Sequence, residues 1–253
     1  MLCNLASGPA FAQEEHWQET SYIAESFFEI ALNSKYRSTK KSIIKWQNDI
    51  HYYYDHRVPD QVLHELLTDL HMQQLSDITG LKIKQTKQLS KANLVVIFSK
   101  EATMAGDFLG MTGLKSSPSL KKSIRGNVCL AFSVFNASGQ IKKATVLVAV
   151  DKAREKAGLV SCIVEELSEI MGLPNDSEKV YPSIFNDYST DALLTGLDYV
   201  LLKILYDRRI KPGMNKQQLM PIVNKIISKL WRYKIIQHAS LKVAKGGLYA
   251  LLN

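Results

Sequence analysis

The stretch CIVEELSEIMGLPNDS, residues 162–177, decides the architecture, because it fixes one helix, the face that helix buries and the place where it stops. At 100° per residue, Ile163, Val164, Leu167, Ile170 and Met171 fall within one arc. Glu165 and Glu169 fall opposite, with Glu166 at the margin. The apolar arc must seat on something buried, and the carboxylates look outward. Gly172 stands where a C-terminal cap belongs, Pro174 prevents continuation, and Asn175 with Asp176 supplies an Asx-type turn. The spacing predicts one helix over residues 154–171.

Working back from this helix, ATVLVAV (residues 144–150) reads as a buried strand, NASGQ supplies hairpin turn residues, and NVCLAFSVF (residues 127–135) is a half-exposed strand. Residues 101–126 are rich in Gly, Ser and Lys and have weak periodicity, which predicts a loop or irregular helix over the sheet. Two strands are predicted near residues 81–84 and 93–99. Before them, Leu63, Leu66, Leu67, Leu70, Leu75 and Ile78 line a long helix that Gly80 caps, opened by a turn at Pro59. DIHYYYD, residues 49–55, is an aromatic strand. Residues 22–33 form a short amphipathic helix through Ile23, Phe27, Ile30 and Ala31, joined on by a basic link. After the glutamate helix, residues 215–252 carry an amphipathic pattern through Leu219, Ile222, Val223, Ile226, Ile227 and Leu230. Such a helix packs on its own domain. The order strand, helix, strand, strand, hairpin, strand, helix is that of an α/β (α+β) mixed sheet with helices layered on it.

With 253 residues, 46% hydrophobic and 22% charged, the chain can bury one substantial core. Its longest apolar runs are far too short to cross a bilayer. The 32 Lys and Arg against 24 Asp and Glu give a net charge of +8, spread over several segments with no RNP-type aromatic signature. Specific nucleic-acid binding is not expected; a surface compatible with lipid head groups or envelope polymers is. The N-terminal MLCNLASGPAFAQ ends its apolar part in AFA, a small-x-small pattern that marks residues 1–12 as the tail of a secretory signal. Export to the periplasm or beyond then places the chain in an oxidising compartment, with Cys129 and Cys162 left as a pair.

The frame E-E-L-S-E-I-M-G-L-P-N resembles the metzincin-like zinc peptidases, whose helix reads H-E-x-x-H-x-x-G-x-x-H/D. On that resemblance Glu165 and Glu169 stand at the two helical histidine positions, Glu166 at the general-base position, Gly172 at the turn and Asn175 at the third-ligand position. PSIFNDY, residues 182–188, resembles the Met-turn segment, with Phe185 in place of methionine. LTGLDYVLLKILYD, residues 194–207, resembles the closing helix. The glutamate pair followed by a Gly-Leu-x-Asn-Asp turn is also similar to a family of bacterial exported proteins of unknown function. The resemblance implies a zincin-like domain over residues 49–213, with a helical extension over 13–48 and a C-terminal one over 214–253. It also brings Cys129 and Cys162 alongside one another as a disulfide.

Every zinc ligand of that frame is replaced. Neutral imidazoles leave Zn²⁺ charge enough to acidify its water, whereas carboxylates and an amide are hard donors suited to Ca²⁺ or Mg²⁺. No metal or other cofactor is therefore expected, a hard cation such as calcium being the exception that the donors allow. Three glutamates in five residues leave three explanations open: an exposed acidic face, a bound cation, or pairing with Lys and Arg. The six histidines supply no ligand set. His64 and His71 are two turns apart, roughly 10 Å, and read as surface helix residues. Two functions follow. In the first, an exported, zinc-free fold binds a peptide or envelope component in a cleft holding Glu165, Glu169, Asn175 and Asp176. In the second, Glu166 with a neighbouring glutamate hydrolyses such a polymer.

Overall fold

The computed structural model describes residues 15–33 and 41–252, so the signal-like residues 1–12 and Cys3 lie outside the described residues. In chain order the elements are α1 (Thr20–Leu32), β1 (Ile50–His56), α2 (Gln61–Thr79), β2 (Ile83–Gln85), β3 (Leu94–Ser99), α3 (Glu101–Thr112), α4 (Pro118–Gly126), β4 (Cys129–Phe135), β5 (Ile141–Ala149), α5 (Val150–Glu155), α6 (Leu159–Glu169), α7 (Gly196–Leu205), α8 (Lys216–Arg232), α9 (Ala239–Ala244) and α10 (Tyr249–Leu252). Among the described residues the strands form one mixed sheet ordered β2-β1-β3-β5-β4. Its first four strands run parallel, and β4 returns antiparallel to β5 as the terminal strand.

The alternation of β3 sorts the sheet into two apolar layers. Leu94, Val96 and Phe98 face the larger core, which gathers residues of α1, α2, α6, α7 and α8. Val95 and Ile97 face a smaller core with Met104, Phe108 and Leu109 of α3 and Ile124 of α4. A strand buried on both faces needs an uninterrupted apolar run, and LVVIF supplies it. The larger core runs from Trp17 to Leu248, so both predicted extensions pack into it.

Several expectations need correction. The helix predicted over residues 154–171 is two helices, α5 and α6. The break falls where Ala157 has a φ of 53° and Gly158 precedes α6. Residues 101–126 contain two helices, α3 and α4, the second capped by Ser117, whose side chain accepts from the Leu120 amide. α2 ends at Gly80 as expected, in the left-handed conformation with its N–H on the Ser76 carbonyl. Its buried face is the predicted one only in part, with Leu67, Leu75 and Ile78 buried. Leu63 and Leu66 are exposed, whereas His64 and His71 are 0% and 1% exposed. His71 Nε2 lies 3.0 Å from Ser168 Oγ on α6, and the Ser168 hydroxyl donates a hydrogen bond to the Val164 carbonyl at 2.6 Å. His64 lies flat on Phe98, with ring centroids 4.5 Å apart. Burial disfavours the imidazolium and lowers both histidines to about 4, for His64 with the Arg154 charge adding to the effect.

Residues 41–49, ahead of β1, form no helix or multi-residue strand but are deeply embedded, with Ile43, Ile44 and Trp46 at 0–2% exposure. Trp46 Nε1 donates to the Ile170 carbonyl at 2.8 Å. Lys45 exchanges backbone bonds with the hairpin turn at Gly139 and Ile141. Its ammonium reaches the carbonyls of Leu205, the last residue of α7, and of Ile210 beyond it, and burial brings its pKa down to about 8.

Candidate functional site

The carboxylate face of α6 is positioned first by a covalent bond. Cys162 in its first turn is joined to Cys129 at the start of β4, with a Cα–Cα separation of 5.8 Å, as the resemblance implied. On a helix, positions three, four and seven residues beyond Cys162 share its side. Glu165, Glu166 and Glu169 therefore lie on the side of α6 that carries the β4 linkage. Glu165 and Glu169 are half-buried, but Glu166 is only 6% exposed. The outward-looking arc of the sequence is thus a partly covered wall. A general base must come within about 3 Å of the proton it removes, and Glu166 offers a substrate little surface.

The turn after α6 is pinned from two sides. Trp46 holds the Ile170 carbonyl, and Gly172 adopts a φ of +113° with its Cα against the Ile44 backbone. A Cβ there would come within 2.1 Å of the Ile44 oxygen, so glycine is required by both conformation and space. Beyond it, the Asn175 side-chain amide donates to the Glu29 carbonyl of α1 at 3.1 Å, which turns this residue toward α1. Ser177 donates to the Glu29 carboxylate through Oγ and to the Phe185 carbonyl through its backbone N–H.

That last bond brings in residues 182–188. Phe185 is fully buried. Buried Asp198 of α7 organises the segment. Its carboxylate accepts from Ser183 Oγ at 2.6 Å, from the Ile184 amide at 3.1 Å and from the Thr195 amide at 2.8 Å. Burial raises its pKa, and these donors oppose the shift. Asn186 caps the end of the segment, donating to the Val180 carbonyl and accepting from the Tyr188 amide. Asp187 is thereby presented at a fixed place.

The result is a constellation of Glu165, Asp176 and Asp187, each with a carboxylate oxygen within 4.8 Å of the others. Both Asp176 oxygens are shielded from solvent, Glu165 is half-buried and Asp187 is exposed. The structure thus joins two predicted cleft residues, Glu165 and Asp176, to one that sequence reasoning missed. Asp187 had a signal: it lies two residues past Phe185 in the segment that resembles a Met-turn. Glu169 and Asn175 are not part of this group. Carboxylate oxygens are hard donors, so the set fits calcium or magnesium and does not fit the imidazole chemistry of zinc.

The second wall is β4. Among the described residues it pairs only with β5, so its other edge ends the sheet. On the face away from α6, Phe108, Leu114, Leu120, Ile124, Leu130 and Phe132 line a groove of about 220 Å³. Residues 20–225 match the family model described as a protein of unknown function (DUF2927), and the chain belongs to that family. No curated protein matches the chain.

Proposed function

We propose that this DUF2927 protein is an exported, zinc-free relative in fold of the metzincin-like peptidases, and that it holds an extended peptide of its surroundings as an added strand along β4. The observation that carries the reading is the antiparallel terminal strand itself, tied by Cys129–Cys162 to the carboxylate face of α6. A terminal strand offers a row of backbone donors and acceptors that an extended chain satisfies by β-addition. The reading is supported further by the order of the sheet, by the place of α6 beside β4, and by Glu165, Glu169 and Asn175 standing where imidazole ligands would be needed. Export is supported by the cysteine pairing, since disulfides persist in oxidising compartments. Hydrolysis by Glu166 is the weaker reading, because that carboxylate is buried.

Hydrogen exchange with extended peptides tests the proposal. Slowed exchange of outward-facing β4 amides, with no cleavage of the peptide, is the expected result. Stoichiometric zinc in protein purified without added metal, together with cleavage abolished by a chelator, would overturn it. Turnover that disappears in Glu166→Gln would instead establish the hydrolase.

A further inference from the structure

Residues 108–150 contain no aspartate or glutamate but six lysines and arginines. Three of the six, Lys121, Lys122 and Arg125, stand on α4, and all three are exposed. Lys121 and Arg125 are four residues apart and Lys122 and Arg125 three, so these charges neighbour one another along one side of the helix and repel. Other exposed cations of the chain are answered: Arg57 holds Asp55 and Asp107, Arg154 holds Asp60, and Arg209 holds Asp207. Among the described residues no carboxylate pairs with the α4 cluster. The Glu101 carboxylate is held by Lys152, whose ammonium also donates to the Arg125 carbonyl at 3.1 Å. The three α4 side chains, with Ser116, Ser117 and Pro118, line a pocket of about 430 Å³. Pockets for small molecules run from about 300 to 1,000 Å³, so this one has the size of a ligand site. The helix beneath it is fixed by the Ser117 cap on the Leu120 amide and by buried Ile124.

We propose that this pocket binds a phosphate-bearing ligand. Repulsion within the cluster is relieved best by a group that concentrates more than one negative charge within reach of all three side chains. A phosphate monoester carries about −1.5 to −2 at neutral pH on three acceptor oxygens, whereas a carboxylate spreads a single charge over two. Arg125 offers a planar fork of donors to two phosphate oxygens, and Lys121 and Lys122 add compact point charges. Soluble phosphates and phospholipid head groups share this chemistry. The pocket has no lining residue in common with the apolar groove beside β4, and it does not rest on strand addition.

Isothermal titration calorimetry of the full chain with inorganic pyrophosphate tests the site, with tricarballylate, a tricarboxylate of closely similar charge, as the comparison. Pyrophosphate should bind one to one and at least about ten-fold tighter than tricarballylate, and salt raised from about 0.05 to about 0.5 M should weaken it. Replacing Lys121, Lys122 and Arg125 together by glutamine should lower the pyrophosphate affinity at least about ten-fold. Arg125→Lys keeps the charge and loses the fork, and should give part of that loss. Glutamine at Lys225, Lys229 and Arg232, exposed on α8, removes the same charge elsewhere and should change the affinity less than about two-fold. Co-sedimentation separates the two sources, using phosphatidylcholine vesicles with and without about one-fifth phosphatidic acid. Retention only on the acidic vesicles, lost in the α4 variant, assigns a lipid head group; pyrophosphate binding without retention assigns a soluble phosphate. Equal affinity for pyrophosphate and tricarballylate would overturn the phosphate assignment. Equal losses in the α4 and α8 variants would overturn its place, and no binding of pyrophosphate or acidic vesicles would overturn the site.

Discussion

Lowering the pH from 7 to 5 should cost this protein a large part of its stability, and His71 should account for about 2 kcal/mol of it. The ring is 1% exposed and sits between α2 and α6 with its Nε2 against Ser168. Burial lowers it from 6.5 to about 4. The unfolded chain therefore takes up a proton as pH falls through 6.5, while the folded chain refuses it until near 4. Stability from this group is complete above about pH 7 and drains away toward pH 4. At pH 5 the unfolded imidazole is almost fully protonated and the folded one about one-tenth so, which gives about 2 kcal/mol by linkage. Burial lowers His64 as well, so it acts in the same direction. Urea unfolding of the oxidised protein, followed by tryptophan fluorescence, measures the loss. His71→Met keeps the volume and removes the titration, so its pH slope should be shallower by that amount. A wild-type stability unchanged between pH 7 and pH 5, or an undiminished slope in His71→Met, would refute the reasoning.

Replacing both Cys129 and Cys162 by serine opens a link across 33 positions, which should cost about 3 to 4 kcal/mol in the chain-entropy model. Thiol titration of the denatured, unreduced protein should find neither cysteine reactive. Gly172→Ala should yield no folded protein by circular dichroism, since its Cβ would come within 2.1 Å of the Ile44 carbonyl oxygen at a φ of +113°. Asp198→Ala leaves the buried Ser183, Ile184 and Thr195 donors without their acceptor. A loss of at least about 3 kcal/mol in urea unfolding is expected, with faster exchange of the amides in residues 183–187.

What was legible in the chain is what local chemistry controls. The stop of α2 at Gly80, the apolar run of β3, the turn after α6 and the cysteine pair were all readable. So was the mixed α/β class, because the order of strand and helix signals is itself a local property. The histidines of α2 were not, since periodicity treats them as polar. Their surroundings are tertiary: Ser168 hydrogen-bonds His71, whereas His64 is stacked on Phe98 with neither ring nitrogen hydrogen-bonded. α3 was hidden by Gly106 and Gly110 within its pattern, and α4 by the single buried position, Ile124, among its basic residues. At the site, the helix wall was visible because it lies on one periodic element. Asp187 had only its place two residues past Phe185 to mark it, because its position is set by the bonds of its neighbours, Ile184 to Asp198 and Tyr188 to Asn186, which no spacing encodes.

The irregular run from Ile43 to Trp46 determines where the protein can be cut. A truncation beginning at residue 49, just ahead of β1, would strip the partners from the carbonyls of Ile170, Leu205 and Gly139, three places far apart along the chain. It would also uncover the cavity that Trp46, Ile43 and Ile44 fill. The smallest piece able to refold therefore begins ahead of Ile43, and expression fragments for the peptide experiments should retain that run as part of the folding unit.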